Sequence, residues 1–313
     1  KMAADALRFM WGRTGVLARL QAPSGLRLTP GVEVRSAGDL TVSVNEQAVN
    51  VSERGWNLNT WRFDGEAGAL TLRAQGNLNI VGSISDGFVN KGTAMPLWTL
   101  DSSPKSWGLR LVGGADVSAA KPTQTVAGAG DVSVSYARPV LAGDVPVALV
   151  RTGTGTIDVA AGRNVVLGST IWRDPDGDVT LNRSYGAAVY TTGYARDLTG
   201  VGFVAPLNES NSVYGDNVLS PAAFGRAGGA IRIQAGQDVQ GAVVPQLVND
   251  WLFRQGSSRL AEDGVTRVFD GANTAWWARP DYLGTGIATL AGGDVQIRAG
   301  GSVKDVLASV ASN

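Results

Sequence analysis

The sequence predicts an all-β chain folded as a parallel β-helix, a solenoid of short stacked strands. Three observations predict it. A unit of alternating strand, glycine corner, small polar residue and aliphatic residue recurs along the chain. Within each unit apolar and polar residues alternate with the period of two that places them on opposite faces of a strand. Each unit is also too short to bury its own apolar face, a problem that stacking on neighbours solves.

The units read GVEVRSAGDLTVSV (31–44), GALTLRAQGNLNIVG (68–82), WGLRLVGGADVSA (107–119) and VAGAGDVSVS (126–135). They continue as GTIDVAAGRNVVLG (155–168), GGAIRIQAGQDVQG (228–241) and GIATLAGGDVQIRAGGSVKDV (286–306). In the second, Leu70 and Leu72 face one way, and Thr71 and Arg73 the other. Ile231 and Ile233 alternate likewise with Arg232 and Gln234. The aliphatic after the corner is Leu40, Leu78, Val117, Val132, Val165, Val239, Val295 or Val303, and these are expected in the core. Glycine supplies corner conformations that a Cβ forbids, and Asp or Asn bonds its own backbone there. The 42 glycines in 313 residues far exceed the average of about 7 % and fit a chain of corners.

The alternatives fit less well. A β-propeller repeats in regular blades, and these spacings are uneven. A β-sandwich has no need of a repeated glycine corner. Calcium-binding β-rolls need back-to-back glycine-aspartate repeats, which these are not.

Residues 1–30 read as a lead-in segment, with a helix to about Met10 interrupted by Gly12 and Gly15. Lys1 reads as a cut inside a longer chain. Residues 31–313 read as one β-helix domain with insertions near 83–106, 169–227 and 245–285. WNLNTWRF (56–63) alternates as a further strand, and VNDWLFRQGSSRLAEDG (248–264) as a short helix or a hairpin arm. The insertions hold Trp98, Trp172, Trp251, Trp276 and Trp277. Loops projecting from a rigid solenoid are where binding resides, so these five are the candidate contact residues. The competing role for each is packing the insertion against the coils.

Composition removes several kinds of chemistry. The chain has no His and no Cys, which excludes disulfides, thiolate zinc sites, Cys nucleophiles and any Ser-His-Asp triad. Lys+Arg and Asp+Glu are both 27, which gives no reason to expect nucleic acid. No apolar run is long enough for a membrane-spanning helix. RDPDGDVTLN offers Asp174, Asp176 and Asp178 at alternate positions, as a calcium loop begins, but Tyr185 stands where the loop needs a bidentate Glu. Asp39, Asp116, Asp131, Asp238 and Asp294 share an offset from the corner glycine and read as turn formers rather than catalytic acids. RTGTGTIDVAAG lacks the Lys and the following helix of a phosphate loop. No catalytic, cofactor-binding or metal-ligating residue is expected.

PVALVRTGTGTIDVAAGRNVVLG, GGAIRIQAGQDVQGAVV, VNDWLFRQG and TAWWARPDYLGTGIATLAGGDVQIRAGGSV resemble the filamentous-haemagglutinin-type exoproteins of Gram-negative bacteria, in an internal or C-terminal region. The resemblance covers about residues 30 to 313. It implies a right-handed β-helical rod exported by two-partner secretion, through an outer-membrane transporter, and displayed on the surface or released. Its implied role is adhesion, aggregation or contact-dependent interaction with a host cell, a bacterial cell or a glycan. It implies no cofactor and no catalytic residues. The alternative is a carbohydrate-active β-helix enzyme, a polysaccharide lyase or glycoside hydrolase.

Overall fold

The computed structural model describes residues 2–43, 55–90, 98–135, 148–168, 171–172, 183–184, 186–195, 225–243, 246–248, 251–260, 262–263, 267–278, 280 and 283–311. These residues build six coils of a parallel β-solenoid, each contributing one strand to each of three six-stranded sheets. Sheet A takes Gly31–Ser36, Ala69–Ala74, Gly108–Gly113, Ile157–Ala161, Ile231–Ala235 and Val295–Ala299. Sheet B takes Leu40–Val42, Leu78–Ile80, Val132–Val134, Val165–Leu167, Val239–Gln240 and Val303–Lys304. Sheet C takes Gly55–Asn57, Ser83–Ser85, Ala148–Thr152, Ala187–Thr191, Gly286–Thr289 and Ala308–Val310.

Parallel pairing in constant register stacks like on like. In sheet A the inward column runs Val34, Leu72, Leu111, Val159, Ile233 and Ile297. In sheet B it runs Leu40, Leu78, Val132, Val165, Val239 and Val303. Six of the eight expected aliphatics therefore stand in one column. Val117 and Val295 do not. Val117 lies in the long corner of coil 3 against Val112, Ala115 and Ala160, and Val295 opens the last sheet A strand opposite Ile231. AGGDV (291–295) and AGGSV (299–303) are thus two different corners of one coil. The units at 107–119 and 126–135 likewise belong to a single coil, split by residues 114–131.

The A-to-B corner is fastened by side chains. Asn77 N–H donates to Asp39 Oδ1 at 2.7 Å, and Asp131 N–H to Asn77 Oδ1 at 3.0 Å. Asn164 N–H donates to Asp131 Oδ1 at 2.9 Å, Asp238 N–H to Asn164 Oδ1 at 3.1 Å, and Ser302 N–H to Asp238 Oδ1 at 2.7 Å. This ladder links all six coils. Of the five aspartates expected at a shared corner, Asp39, Asp131 and Asp238 are here. Asp116 instead accepts from Ser118 N–H in its own turn, and Asp294 lies at the C-to-A corner. A second motif closes the C-to-A corner in three coils. Thr152, Thr191 and Thr289 turn their hydroxyls inward to donate to the carbonyls of Gly155, Gly229 and Gly293 at 2.6, 2.6 and 2.7 Å.

The lead-in forms helices α1 (Met2–Trp11) and α2 (Arg13–Arg19). The break falls at Gly12, as expected. Gly15 does not interrupt α2, since glycine inside a helix costs only about 1 kcal/mol. Met10 is buried, with Ala6 and Leu7 packed on the same core as the first coil. Arg13 pairs with Asp64, and Arg27 with Glu66. Among the described residues nothing comparable covers the last coil, whose Val303, Leu307 and Val310 are 51, 46 and 64 % exposed. WNLNTWRF is a strand only over Gly55–Asn57. Asn57 then accepts from Asn59 N–H and turns Leu58–Thr60 into a 3-10 helix.

Candidate functional site

The outward faces of the three sheets differ in kind. Sheet A presents Arg232, Gln234, Gln296 and Arg298 to solvent at its later coils. Sheet C buries its outward residues. Ser85, Arg151, Tyr190 and Ala288 stand side by side in register, and all four are buried. An outward residue is buried only if something covers it, and here a second apolar layer does. It comprises Phe88, Trp251, Leu283 and Leu290 with the outward Ala188, Tyr190 and Ala288, and it is separate from the column inside the solenoid.

The covering residues come from segments that leave the solenoid beside sheet C. Phe88–Asn90 pairs antiparallel with Trp98–Leu100 after the sheet C strand of coil 2. Ile171–Trp172 pairs with Arg183–Ser184 before that of coil 4, and Tyr194–Ala195 with Gly225–Arg226 after it. Leu252–Leu260 and Arg267–Ala278 form a long hairpin, irregular between Gly256 and Ser257, before that of coil 5. Within 248–264, Leu252–Leu260 is therefore a hairpin arm and not a helix. The span 169–227 is interrupted by the core strand Ala187–Thr191.

The five candidate tryptophans fall on these segments. Trp98 lies opposite Asn90, Trp172 opposite Arg183, Trp276 opposite Arg254 and Trp277 opposite Phe253. Trp251 precedes the long hairpin and is 3 % exposed inside the second layer, so its indole packs the hairpin base to sheet C. The residues Asp174, Asp176 and Asp178 lie outside the described residues. Among the described residues no three His, Cys, Asp or Glu side chains gather as a metal site.

Two polar groups in this region escaped the sequence reading. The Arg151 guanidinium is buried between sheet and cover. Its Nε donates to Ser85 Oγ at 2.7 Å, and its Nη1 to Tyr190 Oη at 3.0 Å. It lies 4.1 Å over the Phe88 ring, which meets Tyr190 edge-on at 6.2 Å. A cation over a desolvated ring is favourable by up to about 2 kcal/mol, so Arg151 fastens the cover electrostatically. Nothing in RTGTGT marks this arginine as buried, because only the covering layer buries it. The second group is Asp86. Burial pushes its carboxyl above the usual aspartate range, while Arg62 Nη2 at 2.8 Å and Trp107 N–H at 2.6 Å pull the other way. Both carboxylate oxygens are thus occupied by structural donors, which suits a brace and not a catalytic acid.

The arrangement is a rigid sheet carrying a layer of hairpins, anchored by a cation-aromatic cluster. It offers a contact surface. Comparison with known protein families, curated proteins and solved structures gives no significant match.

Proposed function

We propose that the chain is a rod segment of a filamentous-haemagglutinin-type exoprotein, a right-handed β-helix exported through an outer-membrane transporter and displayed or released. In this reading it is non-catalytic, and the hairpin layer on sheet C contacts a host cell, a bacterial cell or a glycan. The observation that carries it is the buried second layer. Loops that merely connect coils do not need a core of their own, whereas a layer held by Phe88, Tyr190, Trp251 and Arg151 presents its outer side in a fixed shape. The absence of Cys from the sequence fits export as an unfolded chain.

The test is adhesion of beads coated with the purified chain to epithelial and bacterial cells. A variant in which the hairpin 252–278 is shortened, with its circular dichroism unchanged, is expected to lose that adhesion. Equal adhesion by the shortened variant, or release of reducing ends from a polysaccharide by the intact chain, would sink the proposal.

A further inference from the structure

A second surface lies on sheet A, away from the hairpin layer. From coil 3 to coil 6 its outward positions form two columns. One runs Arg110, Asp158, Arg232 and Gln296, and the other Val112, Ala160, Gln234 and Arg298. The long corner of coil 3 adds Lys121, Pro122 and Thr123, and these groups, Val112 apart, line an open groove of about 350 Å³. Its floor is sheet backbone and the small Ala160 side chain, so a flat ring has room to lie across the strands.

The groove is strongly cationic although the chain as a whole is neutral. Arg110, Lys121, Arg232 and Arg298 face one carboxylate, Asp158, which accepts from Arg232 Nη1 at 3.2 Å. Among the described residues Arg110, Lys121 and Arg298 have no ion-pair partner. Several other exposed cations are matched: Arg163 binds Asp131 through two bonds, Arg35 binds Glu33, and Lys105 binds Glu66. Concentrating unmatched positive charge in a groove with a sheet floor favours an anion there.

We infer that this groove binds an extended acidic polysaccharide whose charges are carboxylates. Arg110 and Arg232 stand two strands apart in one column, about 10 Å at the spacing of hydrogen-bonded strands. That is a separation suited to a polymer charged on every second sugar. Arginine meets a carboxylate through two parallel N–H bonds, which a flat outward column presents in repeat. Gln234, Gln296, Thr123 and Asp158 supply the mixed donors and acceptors that sugar hydroxyls require. Among the described residues no aromatic side chain lines the groove, which removes the stacking that single-stranded nucleic acid needs. The inference deepens the adhesive reading by naming a ligand class, and it uses a face that the hairpin layer does not.

The test is calorimetric titration of the full chain with hyaluronan oligosaccharides, which carry carboxylates and no sulfate. Neutral dextran, dextran sulfate and oligothymidylate serve as comparison ligands. Hyaluronan is expected to bind with an affinity that falls as salt rises. The triple change Arg110→Gln, Arg232→Gln and Arg298→Gln is expected to lower it about tenfold or more with Tm unchanged, each exposed pair contributing modestly. Asp158→Asn is expected to raise it about twofold, because the one competing carboxylate among the described lining residues is gone. A purely structural role for these residues would move neither value. Absence of hyaluronan binding, an unchanged triple variant, or equal or tighter binding of dextran, dextran sulfate or oligothymidylate overturns the inference. The hairpin-shortened variant is expected to keep hyaluronan binding, so failure here and failure of the adhesion test are distinguishable.

Discussion

Replacing Asn164 by Asp tests whether the corner ladder works by alternation. Along the ladder the residues run Asp39, Asn77, Asp131, Asn164, Asp238 and Ser302, so no two carboxylates are adjacent. Each Asn accepts from the next coil with its oxygen. Its amide also donates back to the preceding Asp, Asn77 Nδ2 to Asp39 at 3.3 Å and Asn164 Nδ2 to Asp131 at 3.1 Å. Asn164→Asp keeps the acceptor for Asp238 N–H and turns the donor into a second carboxylate oxygen beside Asp131. Two unit charges 4 Å apart repel by about 1 kcal/mol in water and about 4 at an effective dielectric of 20. Arg163, which binds Asp131, offsets part of this, so a loss near 2 kcal/mol is expected at neutral pH. The new carboxyl titrates upward beside a like charge, so the penalty fades as the solution is brought to about pH 4 and below. Asn164→Ala instead leaves Asp238 N–H without its acceptor and adds no charge beside Asp131, a loss of about 1–3 kcal/mol. Urea unfolding followed by tryptophan fluorescence reads both variants, and amide exchange at Val165–Leu167 localises the effect in a stack that opens coil by coil. An Asn164→Asp chain that is as stable as the parent at neutral pH, or a penalty unchanged in acid, refutes the alternation argument.

Leu111→Ala, in the middle of the sheet A column, is expected to cost about 2–5 kcal/mol, and Val303→Ala, half exposed on the last coil, under about 0.5, both by urea unfolding. Gly130→Ala places a Cβ 2.2 Å from Gly114 N and Gly76 O at φ +55°, and is expected to cost well over about 1 kcal/mol. Gly128→Ala, at φ +77° with open space around it, should cost only about 1 kcal/mol, and differential scanning calorimetry separates the two. Asp131 is held below the ordinary aspartate range by its bonds from Arg163 and then by Asn164 N–H, against the opposing effect of burial. Its folded pKa is depressed, so its contribution is complete above the ordinary value and is lost as pH falls through the folded one. Thermal midpoints measured from neutral to about pH 3 should therefore decline in the acid range, and more steeply than in an Asp131→Asn chain.

Sheets A and B were legible because polar residues alternate along their outer faces, even where, as at Thr71 and Arg73, they are buried. GVEVRS, ALTLRA and IRIQA alternate, and the Asp or Asn before the next aliphatic marks the corner. The middle strands of sheet C escaped because they are buried on both faces. Ala187–Thr191 is buried at every residue, so no polar period distinguishes it from surrounding sequence, and Ser83–Ser85, also buried throughout, is too short to show one. That is why AAVYT was read as part of an insertion. Arg151 fell to the same cause, since a strand arginine ordinarily points to solvent, and only the hairpins that return over it change its role.

The positions of the insertions follow from what each corner must hold. In five of six coils the A-to-B corner is three residues, 37–39, 75–77, 162–164, 236–238 and 300–302. Its third residue must stand one strand spacing from the next in order to keep the ladder, which leaves no room for extra chain. Coil 3 is the exception, and it keeps the rule. Residues 114–131 leave and return through Gly114 and Gly130, both at positive φ, and Asp131 still takes its place between Asn77 and Asn164. Among the described residues the corners on either side of sheet C carry no such side-chain chain through all six coils. They accept 22 residues after Ser85 (86–107) and 45 after Gln240 (241–285). Apart from the coil 3 loop, decoration is therefore kept to the corners beside sheet C by hydrogen bonding at the opposite corner, while the outer face of sheet A stays open beyond that loop. A rod built this way presents two separable surfaces, a shaped hairpin layer and a bare charged groove, and each can change sequence without disturbing the column between them.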